Sequence, residues 1–160
     1  MSLAALIVAL AALAASSVLA VHQIRTAQRA NQLPVVFEIF RFLRSAEVRR
    51  KEDAMHAGLA GHDPALGFRG LPEPMRSDAQ EVCSYYNMVG YLVMLKVVDA
   101  RIAILPLHYR VAQVWATARP YVEAERTLRT GQRSFMNGLE ALAARVETMD
   151  VETTIARLTR

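Results

Sequence analysis

The chain has 160 residues, room for about one domain, and its 53% hydrophobic content with only seven Gly and six Pro excludes a disordered or collagen-like protein. Its net charge of +4 is unevenly spread, because all 19 Lys+Arg and all 15 Asp+Glu lie in residues 25–160. The single cysteine, Cys83, excludes an intramolecular disulfide and a multi-cysteine metal site, and one cysteine is typical of a reducing compartment.

Residues 1–24 predict a transmembrane signal anchor. The stretch Leu3–Val21 has no charged residue, and two serines are its only polar residues. At about 1.5 Å per residue, a helix of this length is close to the hydrocarbon thickness of a bilayer. A cleaved signal peptide with its site at Val18–Ala20 is the first alternative, and a buried soluble helix is the second. The anchor is favoured because no basic residue precedes the apolar run.

Seven basic residues follow within 25–51, against two acidic ones, so this stretch carries a formal charge of +5. The positive-inside rule then places residues 25–160 in the cytoplasm, on the inner membrane. The same excess predicts contact with anionic lipid headgroups. Nucleic acid is the disfavoured alternative, because no recognition motif accompanies the charge. The basic residues are Arg25, Arg29, Arg41, Arg44, Arg49, Arg50 and Lys51.

The next part of the chain predicts a helix and a long loop. Residues 25–33 are polar and compatible with a helical connector. Apolar residues then recur at three- and four-residue steps, which predicts an amphipathic helix from Pro34 to His56, with Pro34 in its first turn. Gly58–Met75 holds four Gly and three Pro, which indicates a loop.

A second long helix is predicted to begin at Ser77, because Ser77-Asp78-Ala79-Gln80 has the spacing of a capping box. Its body, Val82–Val98, is apolar nearly all round, which favours burial on several sides. The uncharged run ends at Lys96 and is short for a second membrane span, so we expect the central core helix.

Single residues predict the following boundaries. Asp99 can cap a short helix reaching Leu105. Pro106 and Pro120 each predict a restart or a kink. Gly131 predicts a helix C-terminus.

The last predicted helix carries a row of apolar residues at coiled-coil spacing, which we call the seam. We expect its N-terminal half to pack inside the domain and Val146 and Met149 to be available to a partner. Residues 150–160 would be a tail or a helix extension. No window alternates with period two, so the predicted fold is all-α: one transmembrane helix and then a cytosolic bundle of four or five helices over residues 34–149. The seam consists of Phe135, Leu139, Leu142, Val146 and Met149.

No pattern of reactive residues identifies a catalytic, cofactor or metal site. His56, His62 and Asp63 fall around the loop without a metal-ligand spacing, and we expect solvated histidines. His108 and Cys83 are expected to be structural, with Cys83 in the core. Hydrolase, phosphate-loop, dinucleotide and zincin motifs are absent from the sequence, which disfavours an enzyme, although carboxylates on separate helices can still assemble a site.

The order of features resembles a family of short bacterial membrane-anchored proteins catalogued only as a domain of unknown function. The residues that carry the resemblance are the basic helix Phe37–Lys51, Tyr85-Tyr86, Trp115 with Arg119-Pro120, and Glu125-Arg126, within about residues 30–145. The resemblance implies a helical cytosolic domain tethered to the inner membrane, and it implies no catalytic residues.

These observations together predict a membrane-anchored interaction protein, either a scaffold or an accessory subunit of a membrane complex. Its partners would be the bilayer and another protein or a second copy of the chain. A membrane-surface enzyme with a site between helices is one alternative. A small channel or pore subunit, with the Val82–Leu95 region in the bilayer, is the other.

Overall fold

The computed structural model describes residues 3–129 and 131–158, without the side chains of 3–6, 9, 25–32, 157 and 158. This part of the chain is helical and contains no strand, which confirms the all-α class. The α-helices are α1 (Leu3–Leu43), α2 (Ala46–Leu59), α3 (Met75–Met94), α4 (Ala100–Ile104), α5 (His108–Leu128), α6 (Asn137–Thr148) and α7 (Val151–Leu158). Two short 3-10 turns lie at Pro64–Leu66 and Phe68–Gly70. The chain divides into two compact units, residues 1–37 and 38–160.

In the first unit, α1 exposes its large apolar side chains over residues 7–24. The described large apolar side chains between residues 7 and 24 are 49 to 72% exposed. In the part of the chain that the structure describes, no helix has both the length and the apolar character needed to cross a membrane. These side chains are Ile7, Val8, Leu10, Leu13, Val18, Leu19, Val21 and Ile24.

The predicted helix from Pro34 to His56 is wrong at its start and in its middle. Pro34 lies inside α1, which continues through it to Leu43. The break comes instead at Ser45, whose extended backbone and side-chain oxygen cap α2 by accepting from the Val48 amide at 3.2 Å. A proline removes one backbone hydrogen bond, and the helical residues on either side of Pro34 keep α1 continuous here.

The core of the second unit is arranged around α3, as predicted. This helix packs against α2 and α6, and α5 packs against α2 and α6. The helix is shorter than predicted, because α3 ends at Met94. The expectation that it is buried on several sides is also wrong, because Met88 and Tyr91 are exposed on the face opposite the buried one. The buried face consists of Ala79, Val82, Cys83, Tyr86, Val89, Gly90 and Val93.

The capping box at Ser77 is also wrong, because α3 begins two residues earlier, at Met75. The Ser77 hydroxyl donates to the Pro74 carbonyl at 2.9 Å rather than accepting from a later amide. The amide of Ser77 instead donates to the Glu73 carboxylate at 3.2 Å. The Glu73 carboxylate, which lies ahead of the helix, therefore accepts a hydrogen bond from one amide of the first turn.

The long loop contributes to the core. Its two 3-10 turns place Phe68 and Leu71 in the interior. The ring of Phe68 lies 5.9 Å from that of Tyr121 and 6.3 Å from that of Phe135, between ring centroids. The loop is therefore fixed by aromatic packing, which its glycines and prolines alone did not predict.

The boundaries predicted from single residues are partly confirmed. Asp99 caps α4, with its carboxylate accepting from the Arg101 amide at 2.8 Å. Gly131 follows α5 with φ +81° and donates to the Arg126 carbonyl at 3.0 Å, as expected of a C-terminal glycine. Pro120 neither restarts nor visibly ends α5, which runs through it.

The final helical region is interrupted where the seam was predicted to be continuous. Met136 adopts φ +58° and α6 begins at Asn137, so Phe135 precedes the helix. A second break follows α6, and Asp150 caps α7 by accepting from the Thr153 amide at 2.9 Å.

Candidate functional site

Two acidic side chains are buried in the described core of the second unit. Glu52 is 6% exposed and Glu125 is fully buried. A buried carboxylate is costly unless hydrogen bonds and opposite charge compensate it. Each is therefore the centre of a polar cluster.

The Glu52 cluster joins four elements. Arg110 of α5 donates to both carboxylate oxygens of Glu52, from Nε to Oε2 at 3.0 Å and from Nη2 to Oε1 at 2.7 Å. Its Nη1 donates to the Leu43 carbonyl at the end of α1, at 2.8 Å. The Tyr86 hydroxyl of α3 adds a bond of 2.8 Å to Oε1. Burial and the Glu52 charge raise the pKa of Tyr86, so the phenol remains a donor.

The Glu125 cluster fastens the loop to α5. Arg69 of the second 3-10 turn and Arg129 both donate through Nε to Oε1, at 3.2 and 2.8 Å. The Arg129 guanidinium also lies 4.4 Å from the ring centroid of Phe135. Oε2 has no hydrogen-bond partner among the described residues. Gly67, with φ +62°, lies against this oxygen, since a Cβ there would be 2.6 Å from Oε2.

Sequence reasoning missed both acids, although a signal was present. Glu52 lies on the same helical stripe as Val48, Met55 and Leu59, and Glu125 continues the stripe of Tyr121. An acidic residue on an apolar stripe predicts a buried partner of opposite charge. The signal does not identify that partner, because Arg110 is 58 residues from Glu52.

The structure brings the two histidines predicted around the loop to one open cleft of about 340 Å³. His56 lies in α2, as the predicted helix ending at His56 required, and its Nδ1 lies 2.8 Å from the Thr117 hydroxyl. His62 has Nδ1 3.0 Å from the Gly58 carbonyl, which requires a proton on Nδ1. The walls are Leu59, Ala60, Pro64, Pro120 and the ring of Tyr121.

Tyr121 connects the cleft to the end of α2. Its hydroxyl lies 2.6 Å from the Leu59 carbonyl and 2.9 Å from the His62 carbonyl, both acceptors. Burial and the Asp63 charge raise its pKa, so the phenol stays protonated and donates to these carbonyls. The cleft thus offers apolar walls with two imidazoles, a lining that suits a small ligand.

The other candidate residues lie apart from this cleft. Cys83 is buried, which confirms its assignment to the core, and burial raises the pKa of its thiol to about 12. His108 is at the start of α5, with Nδ1 2.8 Å from the Leu105 carbonyl. Within the described residues, no three or more His, Cys, Asp or Glu side chains converge as metal ligands would.

The predicted basic cluster divides into paired and unpaired members. Arg41 bonds to Glu38 at 2.6 Å, and Lys51 bonds to Glu81 at 2.7 Å and lies 3.3 Å from Glu47. Among the residues with described side chains, the remaining three are exposed and form no ion pair: Arg44, Arg49 and Arg50. The side chains of Arg25 and Arg29 lie outside the described residues.

Burial changes along the predicted seam. Leu139 and Leu142 are buried in the second unit, and Phe135 is half-buried. Val146 and Met149 are half-buried at the C-terminal end. Whether these two residues meet a partner stays a prediction.

One comparison with known proteins gave a match. The model of a family described as a domain of unknown function, DUF4760, matches residues 1–146. No curated protein and no solved structure was found to match the chain. The resemblance to a family catalogued only by its unknown function is therefore confirmed.

Proposed function

The chain belongs to the DUF4760 family, and we propose that it is a membrane-anchored helical interaction protein, a scaffold or an accessory subunit of a membrane complex. Its anchor is the stretch Leu3–Val21, and its second unit lies on the cytoplasmic side of the inner membrane, where the arginines after the anchor direct it.

The observation that carries the proposal is the exposure of apolar side chains around α1. Residues 7–24 include eight large apolar side chains that are 49 to 72% exposed, and the sequence places no charge among them. A surface of this kind is unfavourable in water and favourable in lipid, where a helix also satisfies its own backbone.

The interaction role is supported by how the buried polar groups of the second unit are used. Arg110 is engaged by Glu52 and by a backbone carbonyl, and Arg69 is bonded to Glu125. These charges connect helices and the loop to one another. They fix the shape of the surface of the second unit, and a scaffold depends on a surface of fixed shape more than on reactive groups.

Extraction of membranes with alkaline carbonate tests the anchor. We expect the full chain in the pellet, and we expect Leu10→Arg with Leu13→Arg to move it to the supernatant. Leu33→Arg is the matched control, because Leu33 is also apolar and exposed but lies outside the anchor. Recovery of the unaltered protein in the supernatant, or a mature N-terminus at Val21, would overturn the proposal.

Labelling in spheroplasts tests the orientation. A cysteine at the exposed Gln132 should react with an impermeant thiol reagent only after the membrane is opened. Reaction at Gln132→Cys in intact spheroplasts would reverse the orientation.

Native purification in mild detergent tests the interaction role. We expect a protein partner or a second copy to remain bound to the full chain through gel filtration. A partner-free monomer would contradict the interaction role. The anchor is tested separately by the carbonate extraction.

A membrane-surface enzyme is the second candidate, and the cleft with His56 and His62 is the observation that favours it. A thermal-shift screen of small metabolites tests it. Stabilisation that is lost in His62→Ala and kept in His108→Ala would place the ligand in the cleft. Turnover of that ligand would then favour the enzyme.

A further inference from the structure

The connection between α3 and α5 exposes an unusual number of large apolar side chains. Five of them are between 42 and 71% exposed, and all lie within residues 94–109. Monomeric soluble proteins rarely expose apolar groups in such a dense stretch without a use for them. We call this set the apolar tip, and it consists of Met94, Leu95, Val97, Ile102 and Tyr109.

The apolar tip is held in place by its own hydrogen bonds and core contacts. Lys96 has φ +58°, and the amides of Val97 and Val98 both donate to the Leu92 carbonyl, at 2.9 and 3.2 Å. On α4, Ala103 and Ile104 are buried, so the exposed Ile102 lies on the opposite side. The exposure is therefore a property of the folded turn.

Basic side chains accompany the apolar tip. Lys96 and Arg101 are exposed within it, and the Asp99 carboxylate between them caps α4 by accepting from the Arg101 amide at 2.8 Å. The start of α5 is also tied to the end of α1, because Arg110 donates to the Leu43 carbonyl at 2.8 Å. Tyr109 and Arg44 adjoin these two bonded residues in the sequence, and both are exposed.

We propose that the apolar tip is a second contact of this protein with the membrane, seated among the headgroups of an anionic bilayer. Leu95 and its apolar neighbours enter the boundary between headgroups and acyl chains, while Lys96 and Arg101 bind lipid phosphates. Apolar side chains edged by basic ones are the combination that interfacial membrane contacts use. The proposal rests on the proposed anchor, which brings the second unit to the bilayer.

Charge complementarity selects lipid as the occupant. Five exposed basic residues lie at the apolar tip and at the α1–α2 junction, and Arg44, Arg49 and Arg50 form no ion pair among the described side chains. Anionic headgroups supply the opposite charge along a continuous surface, so no geometric match with a second protein is needed.

The full chain in nanodiscs gives the test. The protein carries Cys83→Ala and Leu95→Cys, labelled with an environment-sensitive dye, in discs of zwitterionic lipid or of the same lipid with about 30% anionic lipid. A lipid-borne quencher reports contact with the bilayer. Gln132→Cys with the same dye is the matched control, since Gln132 is exposed outside the apolar tip.

In anionic discs we expect the dye at position 95 to shift to the blue and to be quenched at least twofold more than the dye at 132. Replacing Lys96 and Arg101 by Gln should remove most of that difference. Equal, weak quenching at both positions overturns the proposal. So does shielding of position 95 from an aqueous quencher without quenching from lipid, because a second copy or another protein then covers the tip.

The outcome separates this proposal from the anchor. A chain that enters the discs and shows no quenching at position 95 contradicts the apolar tip alone. A chain that fails to enter the discs contradicts the anchor, and the labelled protein is then mixed with preformed vesicles of both compositions. Selective quenching by anionic vesicles would still support the apolar tip, and its absence would overturn it.

Discussion

Gly90 and Gly138 place the backbones of α3 and α6 in direct contact. A Cβ on Gly90 would lie 1.9 Å from the Gly138 carbonyl oxygen, and a Cβ on Gly138 would lie 2.2 Å from the Asn87 carbonyl oxygen. The Asn87 side chain accepts from the Gly138 and Leu139 amides, at 2.9 and 3.2 Å. The start of α6 is thus capped by a residue of the helix that it crosses.

We predict that Gly90→Ala destabilises the fold strongly, because the added methyl group meets backbone that cannot rotate away. The cost should be about 3 kcal/mol or more, at the upper end for overpacking. Urea unfolding measures it. Gly61→Ala is the control, since its nearest neighbour would be 3.7 Å away. Equal stability of the two variants would contradict the close crossing.

Much of the fold could be predicted where local chemistry decides it. Asp99 and Gly131 marked helix ends correctly, because capping depends on a few neighbouring residues. Pro34 did not start a helix, because α1 runs through it, and α5 likewise continues through Pro120. The Gly90 crossing left no trace in the sequence, because a glycine does not indicate which backbone it meets.

The candidate sites were less predictable than the fold. Their members are distant in sequence, as with Tyr121 and the Leu59 carbonyl, 62 residues apart. His56 and His62 meet in one cleft because α2 ends between them and the chain turns back. Spacing along the sequence could not show that turn. The burial of an acid such as Glu52 could be predicted from the helical face on which it lies, but its partner Arg110 could not.

Removal of the Arg110 side chain should show how much the Glu52 cluster contributes to the free energy of unfolding. Arg110→Ala leaves the Glu52 carboxylate buried without a guanidinium, and we expect a loss of about 3–5 kcal/mol in the free energy of unfolding. Arg119→Ala is the control, because the Arg119–Glu123 pair is exposed on both sides and should contribute little. A small effect at Arg110, similar to that at Arg119, would mean that the cluster does not hold the helices together.

Stability should fall in alkaline solution. Burial raises the pKa of Cys83 and of Tyr85 to about 12 and raises that of Tyr86 as well. The unfolded thiol and phenols ionise near pH 8.5 and 10, so the folded chain holds more protons than the unfolded chain above about pH 8. Stability is therefore complete below that pH and is lost progressively as the pH rises through the folded pKa values.

Urea unfolding at pH 8 and at pH 11 measures this loss. Tyr86→Phe should reduce the difference between the two free energies, because one buried phenol no longer ionises on unfolding. Tyr109→Phe, an exposed ring, is the control and should leave the difference unchanged. A flat pH profile for the unaltered protein would contradict the prediction.

The histidine cleft should not hold a transition metal. No third His, Cys, Asp or Glu side chain joins His56 and His62 as a ligand among the described residues. Two imidazoles alone make an incomplete site. Elemental analysis of the purified full chain should therefore find less than one metal ion per protein. A stoichiometric metal that disappears in His56→Ala with His62→Ala would prove this prediction wrong.

The last prediction concerns the seam of α6. Leu139 is fully buried, so Leu139→Ala should lower the free energy of unfolding by about 2–5 kcal/mol, as for a large-to-small change in a core. Met149 is half-buried at the other end of the seam. We expect Met149→Glu to leave the unfolding curve unchanged and to weaken association.

Association at Met149 is reasonable because the anchor confines the chains to a membrane. Confinement raises the effective concentration, so a weak helix contact that fails between free domains can persist between tethered ones. Gel filtration with light scattering in mild detergent compares the unaltered chain with Met149→Glu. Ala144→Glu, which adds the same charge at an exposed position off the seam, is the control and should associate normally. Unfolding of the Met149 variant would mean that the residue belongs to the core, and a monomer for the unaltered chain without any partner would remove the interface altogether.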